Sequence, residues 1–528
     1  MSITMGPILG LATADTDTWT VSAVVIWEGT DTPPRIEAEG AELEAAEPEI
    51  LLDHHGKRAV RYRMRIARPD GEDARIAYRI ADAANSFVVP QRDERPHMAF
   101  GSCNGFSHPK EMSKVDVKNA LWRSPDPADS HAGVLDEHAC APFHLLLMGG
   151  DQIYADSIWS AVADLQDWHD LNTEEQANRP ASDELKDDIQ RFYLELYEKR
   201  WRQPEVAEAF ASIPSIMMWD DHDIFDGWGS YPDVLLDSPV YQAIIKEASD
   251  HFDVFQRQTK PGNRHESGLS IAPNRTAFYN LGDGVAVLSL DLRTERRLKQ
   301  VIQRKHWDEI FRFLGKVDNG RLRHLLVMSS IPVVHPDFSW ADNIIGFVPK
   351  LNELEDDLRD HWNSRAHKGE RTRLVHNMLR FSSEKDCRVT FLSGDVHVAA
   401  MGRIESKRDT AAPLNATSIN QLTSSGIVHP GPPFMMRALL ELLAQNDIEL
   451  DRGIEMSIPK LPGAFTRFVV ERNWLSIRPA SEERLWCDLH VEHEKEPFPK
   501  VLHAIGEGRP RLSDTPVAGN GIVRAAGR

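Results

Sequence analysis

The chain has 528 residues and a formal net charge of −20. This acidic balance excludes a broad surface for nucleic acids or anionic membranes, and we expect no sequence-specific nucleic-acid partner. No apolar stretch is long enough to predict a membrane span. The four cysteines predict free thiols rather than a disulfide framework, and residues 1–11 carry no Lys or Arg of an export signal. We therefore expect a cytoplasmic protein, whose oligomeric state the sequence leaves open.

The first 96 residues alternate apolar and polar side chains in several short segments. The alternation is clear over 21–25, 60–66 and 76–80. A period of two predicts strands with one buried and one wet face, as in a small antiparallel β-sandwich. The acidic segment 37–49 between them is interpreted as a solvated loop. We expect an N-terminal β domain over residues 1–96.

From residue 97 short apolar runs alternate with long amphipathic stretches, which predicts an α/β domain over residues 97–505. The predicted core strands are 98–100, 145–148, 216–218, 285–290, 325–328 and 389–392. The predicted helices are 185–201, 241–258, 305–314, 370–381 and 434–446. Two closing strands are predicted at 464–470 and 486–491. Residues 506–528, rich in Gly, Pro and Arg, are predicted to be a disordered tail.

Polar side chains follow almost every predicted core strand, at the edge where open α/β sheets bind ligands. The residues with metal-ligand chemistry are Cys103, Asp151, Asp221, Asp395 and His397. Taken singly, each has a simpler interpretation: Asp151 as a helix cap, Cys103 as a small buried apolar residue, His397 as a core histidine. Taken together, packed carboxylates would repel one another unless a cation lay between them. Carboxylate with imidazole suits a first-row metal.

Five motifs follow one another along the chain: Phe100-Gly101-Ser102-Cys103, Gly150-Asp151-Gln152-Ile153-Tyr154-Ala155-Asp156, Trp219-Asp220-Asp221-His222-Asp223, Asp291-Leu292-Arg293-Thr294 and Leu392-Ser393-Gly394-Asp395-Val396-His397. In this order they resemble the motifs of the PhoD-type alkaline phosphatases, which belong to the calcineurin-like metallophosphoesterases. The resemblance spans about residues 98–401. It implies an α/β fold, a β-sandwich flanked by helices behind the small N-terminal sandwich. It also implies a metal-dependent hydrolase of small phosphoesters, a phosphomonoesterase or a phosphodiesterase.

The resemblance also implies a set of metal ligands. Fe(III) is bound by Cys103, Asp151, Tyr154 and His397. By the same resemblance Asp151 bridges to a second metal, assigned as Ca(II), which Asp395 also binds. The implied metal centre is dinuclear or larger. The third motif supplies a further ligand, Asp221, and the catalytic His222, which protonates the leaving oxygen.

The third motif departs from the family pattern. PhoD enzymes tend to have Asn after this motif, whereas Asp226-Gly227-Trp228 follows here. The third-motif ligand is therefore open between Asp221 and Asp226, and other divalent metals are possible for the second site. The family's twin-arginine export signal is also missing, which argues against a periplasmic role.

Arg293 has two interpretations of equal weight. It either clamps a phosphate oxygen as part of the catalytic machinery or forms a salt bridge with Asp291.

Two other functions compete with phosphoester hydrolysis. Gly101-Ser102-Cys103-Asn104-Gly105 matches a nucleophile elbow, which would indicate an α/β-hydrolase with a catalytic Cys-Asp-His triad. That motif needs a helix directly after the nucleophile, and Pro109 makes an immediate helix unfavourable. The same scaffold without catalysis would be a phosphate-binding module.

Overall fold

A computed structural model describes residues 2–29, 31–45, 47–126, 132–263, 266–318, 322–336, 365–407, 418–481 and 483–505. The predicted tail at 506–528 lies outside these residues. The described strands are β1 Ser2–Ala14, β2 Thr18–Glu28, β3 Ile36–Ala38, β4 Glu42–Leu43, β5 Glu49–His54, β6 Lys57–Ala67, β7 Ala74–Ile80, β8 Ala83–Val89, β9 Met98–Gly101, β10 Leu145–Gly149, β11 Ser215–Met218, β12 Leu269–Ser270, β13 Ala277–Gly282, β14 Val285–Leu290, β15 His324–Ser329, β16 Arg388–Ser393, β17 Ala399–Ser406, β18 Ser418–Thr423, β19 Ile448–Asp451, β20 Ile454–Ser457, β21 Phe468–Val469, β22 Asn473–Ala480, β23 Arg484–Val491 and β24 Phe498–Leu502.

The described α-helices are α1 Pro109–Met112, α2 Val134–Cys140, α3 Ile158–Ala161, α4 Ala163–His169, α5 Thr173–Asn178, α6 Asp183–Trp201, α7 Pro204–Ser212, α8 Asp233–Leu236, α9 Pro239–His251, α10 Arg304–Lys316, α11 Arg365–Lys385 and α12 Phe434–Leu443. Short 3₁₀ turns lie at Ala155–Ser157 and Asp221–Asp223, and a π-helical turn at Phe252–Gln256 continues α9. No helix in the described part of the chain is both long and apolar enough to cross a membrane.

Two large mixed sheets form the centre of the molecule. The first has the strand order β24-β23-β22-β9-β10-β11-β1-β2-β6-β4, with β5 also pairing with β6. The second has the order β12-β13-β14-β15-β16-β18-β17-β20-β19, with β21 pairing with β17. A smaller sheet, β3-β7-β8, belongs to the N-terminal region. Within the large sheets β9, β10 and β11 run parallel, as do β14, β15, β16 and β18.

The strands of the second sheet are apolar on both faces, and each face packs against a different layer. Val285 and Val287 of β14 pack into the core shared with the first sheet. Ala286 and Leu288 point the other way, into a second core with Trp307 of α10. Because side chains alternate along a strand, a continuous apolar run is what a sheet covered on both faces requires. This is the predicted β-sandwich flanked by helices.

The six predicted core strands and five predicted helices are all present, within a few residues of their expected ends. The end of the chain is different: the closing hairpin is β22 with β23, and the predicted strand at 464–470 shrinks to β21. The acidic segment predicted as a loop contains β3, β4 and the start of β5. The predicted boundary at residue 96 stays a prediction, and β1 pairs with β11 across it.

Candidate metal centre

The loops after the parallel strands bring the predicted ligands to one rim between the two large sheets. Cys103 follows β9, Asp151 follows β10, Asp221 follows β11, and both Asp395 and His397 follow β16. Cys103 Sγ lies 3.5 Å from Asp151 Oδ2, and Tyr154 Oη lies 3.2 Å from His397 Nε2. The parallel strands β9, β10 and β11 end at the same edge of the first sheet. The segment after β16 reaches that edge from the second sheet, so residues separated by almost three hundred positions in the chain meet.

Two groups of potential ligand atoms at this rim share one residue. Cys103, Asp151 and His397 offer atoms that all lie within 4.8 Å of one another. Asp151, Asp220, Asp221 and Asp395 offer a second such set within 4.8 Å. We call Cys103, Tyr154 and His397 the thiol–phenol group, and Asp220, Asp221 and Asp395 the carboxylate group. Asp151 lies between them, in the place that a bridging ligand would take.

The electrostatics of the rim fit a bound cation. Burial, together with the neighbouring carboxylates, raises the pKa of Asp151 well above its usual value. The pKa of Asp395 is raised in the same way. Asp151 Oδ1 is buried and has no hydrogen-bond partner among the described residues. A buried carboxylate oxygen without a donor is costly, and a metal ion would satisfy it.

The thiol–phenol group is neutral unless a cation is present. Burial and the charge of Asp151 raise the pKa of Cys103, and burial also raises the pKa of Tyr154. A thiolate or phenolate here would therefore need a positive partner. Ser425 Oγ lies 3.1 Å from Cys103 Sγ and accepts a hydrogen bond from His397 N at 2.9 Å, which ties the two sides of this group together.

The backbone is left-handed at five of the predicted metal ligands. The φ angle is 55° at Cys103, Asp151 and Tyr154, 70° at Asp395 and 50° at His397. For non-glycine residues this conformation costs about 1 kcal/mol each. Such strain is typical of functional sites, where the surrounding structure holds side chains in a required direction.

His222 is oriented by a carboxylate to which the sequence reasoning assigned no role. Both Asp156 oxygens lie 2.9 Å from His222 Nδ1. Burial opposes the charged form, but Asp156 and Asp221 outweigh it and raise the pKa of His222 well above its usual value. The Tyr154 ring stacks on the imidazole with centroids 4.6 Å apart. His222 is thus held in one orientation and favours its protonated form.

The two candidates for the third-motif ligand occupy different positions. Asp221 belongs to the set with Asp151 and Asp395, whereas Asp226 is grouped only with Asp221 and His222. Asp226 is exposed, and its backbone N–H donates to Asp156 at 2.8 Å.

Arg293 is fully buried and faces the carboxylate group. Its guanidinium forms ion pairs with Asp220 and Asp221 and donates to the carbonyl of Trp228. Arg293 therefore forms salt bridges with the third motif, and Asp291 accepts its backbone N–H.

Further residues at the rim were missed as participants. Asp223 accepts hydrogen bonds from the backbone N–H groups of Asp151, Gln152 and Asp220, which joins the loops after β10 and β11. The ring of His429 stacks on His397 with centroids 3.7 Å apart. Asp156, Asp220 and Asp223 all lie inside quoted motifs, so motif membership was the available signal. His429, by contrast, is a residue that the sequence offered, with only a weak reason, as part of the lining of the cleft.

The local structure around Cys103 does not match a nucleophile elbow. No helix follows β9 directly, since α1 begins at Pro109. Cys103 is fully buried and has a raised pKa, whereas a catalytic thiol needs a lowered one.

The chain resembles known proteins over most of its length. The profile of the family described as "PhoD related phosphatase" matches residues 75–351 and 342–449. An uncharacterised protein of Saccharomyces cerevisiae is 29% identical over 480 residues, which are 74% of this chain and 66% of that protein's length. This chain thus spans slightly less than two thirds of that relative.

A solved structure of PhoD shows the fold of this chain. That structure is 12% identical and superposes with a TM-score of 0.55, covering 95% of this chain and 90% of its own. Purple acid phosphatase PPD1 from yellow lupin (Lupinus luteus) seeds gives a TM-score of 0.49 at 9% identity, covering 94% and 74%. The family match covers more than half of the chain, and the rim holds clustered ligand atoms. The chain belongs to the PhoD-related phosphatase family.

Proposed function

We propose that this protein hydrolyses small phosphoesters, as a phosphomonoesterase or phosphodiesterase, at a dinuclear centre bridged by Asp151. The observation that carries the proposal is the membership of Asp151 in both sets of ligand atoms. A single carboxylate between two cations is the arrangement that a two-metal hydrolase needs.

The two groups divide the ligands between the cations. Cys103, Asp151, Tyr154 and His397 would hold Fe(III), since thiolate and phenolate donors suit a highly charged ion. Asp151 and Asp395 would hold Ca(II) together with a third-motif carboxylate, because calcium prefers oxygen ligands. For that ligand we choose Asp221 over Asp226, since it lies with Asp151 and Asp395.

When bound, the cations supply a water of lowered pKa and compensate charge on the phosphate. His222 gives its proton to the leaving oxygen, and Asp156 keeps the imidazole charged and fixed. Arg293 acts by holding Asp220 and Asp221 in place. Its guanidinium is fully buried against these two carboxylates, which argues against a role for Arg293 as a phosphate clamp.

Hydrolysis of p-nitrophenyl phosphate and bis(p-nitrophenyl) phosphate tests the proposal. Treatment with a chelator should abolish turnover, and adding iron and calcium back should restore it. A thiol-alkylating reagent should leave the metal-loaded enzyme active, because Cys103 is buried and liganded. Sensitivity to alkylation combined with resistance to chelation would instead support a cysteine nucleophile.

Metal-loaded protein that binds inorganic phosphate without hydrolysing either ester would point to a phosphate-binding module. The ferric assignment has its own test, because tyrosinate or thiolate bound to Fe(III) absorbs visible light. We expect a coloured protein whose band shifts in Tyr154→Phe and Cys103→Ser. A colourless, iron-free and active enzyme would refute Fe(III) and leave the hydrolase proposal standing.

We also propose a cytoplasmic location. Its support is that the buried Cys103, Cys387 and Cys487 are free thiols and not disulfides. Fractionation of cells that produce the protein would test this, and recovery outside the cytoplasm would contradict it.

A further inference from the structure

A second cluster of ligand-type side chains lies where the N-terminal region meets helix α6. His54 ends β5, and His55 begins the turn into β6. His55 Nε2 lies 3.1 and 3.0 Å from the two Asp187 oxygens. His54 Nε2 lies 4.0 Å from Asp187 Oδ1. One ligand atom from each of the three residues lies within 4.8 Å of the others.

The ring nitrogen Nε2 of His54 is buried but has no hydrogen-bond partner in the described part of the protein. The His54 side chain is only 8% exposed. The separation of 4.0 Å from Asp187 is too long for a hydrogen bond. A buried imidazole nitrogen aimed at a carboxylate without a bond is unfavourable unless something lies between them.

The spacing and chemistry of the cluster suit one class of occupant. Ligands at about 2.0–2.1 Å in a tetrahedral zinc site are about 3.4 Å apart, so small side-chain adjustments would bring all three atoms into range. Two imidazoles with one carboxylate select zinc or a similar first-row ion over calcium or magnesium, which prefer oxygen.

The cations already near the cluster do not prevent binding. Arg191 contacts Asp187 at 3.0 Å but also Asp188 at 2.8 Å. Asp187 can turn toward a metal while Arg191 remains paired with Asp188. Three protein ligands with an exposed side at His55 leave the fourth position to water.

We propose that His54, His55 and Asp187 bind a divalent transition metal of the zinc type, which fastens the β5–β6 turn to helix α6. Lys57 and Glu198 join the same two elements by an ion pair at 2.5 Å. Further along α6, Tyr197 accepts a hydrogen bond from Gln256, which also donates to Asp223. The metal thus anchors a helix that supports the loops of the rim. The site does not depend on the proposed phosphoesterase chemistry.

Metal content and thermal unfolding of the full chain test this site. The Asp187→Asn variant should bind one Zn²⁺ per chain fewer than the wild type after chelation and titration with Zn²⁺ alone. The matched control is Asp188→Asn, which removes the same charge from the same turn of α6 and also contacts Arg191. It should keep the wild-type stoichiometry. Any Zn²⁺ taken up at the rim is common to all three proteins and cancels.

The increase in melting temperature on adding Zn²⁺ should be smaller in Asp187→Asn than in the wild type and in Asp188→Asn. Co²⁺ titration gives a spectroscopic check, because a tetrahedral site absorbs in the visible and the variant should lose that contribution. If Asp187→Asn does not fold, His55→Asn replaces it, since His55 is exposed. Equal stoichiometry and equal Zn²⁺-dependent stabilisation in variant and wild type would overturn the proposal.

Discussion

The two groups of ligand atoms around Asp151 differ in the charge that they carry when no cation is bound. The thiol–phenol group stays neutral, because burial raises the pKa of both Cys103 and Tyr154. The carboxylate group places several acids in one small volume, and the protein itself provides Arg293 against two of them. The thiol–phenol group therefore needs a metal to become charged, whereas the carboxylate group needs positive charge to keep its acids ionised.

The largest effect is expected from a substitution of Asp151, the residue that both groups share. Asp151→Asn removes one charge and one oxygen ligand from both. We expect kcat/KM to fall by about three orders of magnitude, since a metal centre contributes several kcal/mol to transition-state stabilisation. Steady-state kinetics with metal analysis of the same samples provide the measurement.

The matched control for this variant is Asp164→Asn, an exposed position on α4 that should keep full activity. Asp395→Asn should lose metal mainly from the carboxylate group, and Cys103→Ser mainly from the thiol–phenol group. A shared bridge would be contradicted if Asp151→Asn retained both metals.

Replacing Arg293 sharpens the difference between the groups. Arg293→Met leaves Asp220 and Asp221 buried without their cation. We expect the free energy of unfolding of the chelated protein to fall by about 3–5 kcal/mol, as for a broken buried ion pair. Urea denaturation measures it, and metal loading should recover part of the loss.

The comparison variant is Arg297→Met, whose partly exposed side chain pairs with Asp237 on the surface. It should cost about 0–1 kcal/mol. Equal losses in the two variants would mean that the carboxylate group needs no charge from the protein.

Asp156 tests whether the carboxylate side of the rim also controls the proton donor. Asp156→Asn should lower kcat about tenfold with little change in KM, because His222 loses its orienting partner. The decrease should be larger for phenyl phosphate than for p-nitrophenyl phosphate, whose leaving group needs no protonation. Equal decreases for the two substrates would indicate a merely structural role.

The smallest effect is expected at His324, a buried histidine outside the rim, and concerns the pH dependence of stability. Burial lowers the pKa of His324 on β15 to about 4. Below the unfolded value of 6.5 the unfolded chain binds a proton that the folded chain excludes, so stability is complete above that pH and declines as pH falls. The slope from this residue is at most about 1.4 kcal/mol per pH unit.

Urea midpoints measured between pH 7 and 5 should show this decline, and His324→Gln should flatten it. Because β15 carries this histidine away from its rim end, the change on substitution should be the same with and without metal. A difference between the two states would show that the decline arises at the rim.

Much of the site was visible in the sequence because its chemistry follows strand ends. The apolar runs of β9, β10, β11 and β16 predicted where each polar segment would begin. The parallel strands β9, β10 and β11 bring their three segments to one edge, whereas the segment after β16 reaches them from the other sheet. The pairing of Arg293 with Asp220 and Asp221 was not visible, since β11 and β14 belong to different sheets. The same holds for Asp156, which turns toward His222 from another loop.

The N-terminal region shows the same division. The period of two in its sequence predicted the strands, but this local alternation does not predict which strands pair with one another. Only the tertiary structure decided that β1 would pair with β11, that β22 to β24 would extend the same sheet, and that His54, His55 and Asp187 would meet. The sequence by itself determined the elements and the residue types at their ends, because these depend on local periodicity. Which elements became neighbours depended on contacts between residues distant in the chain, which no local pattern records.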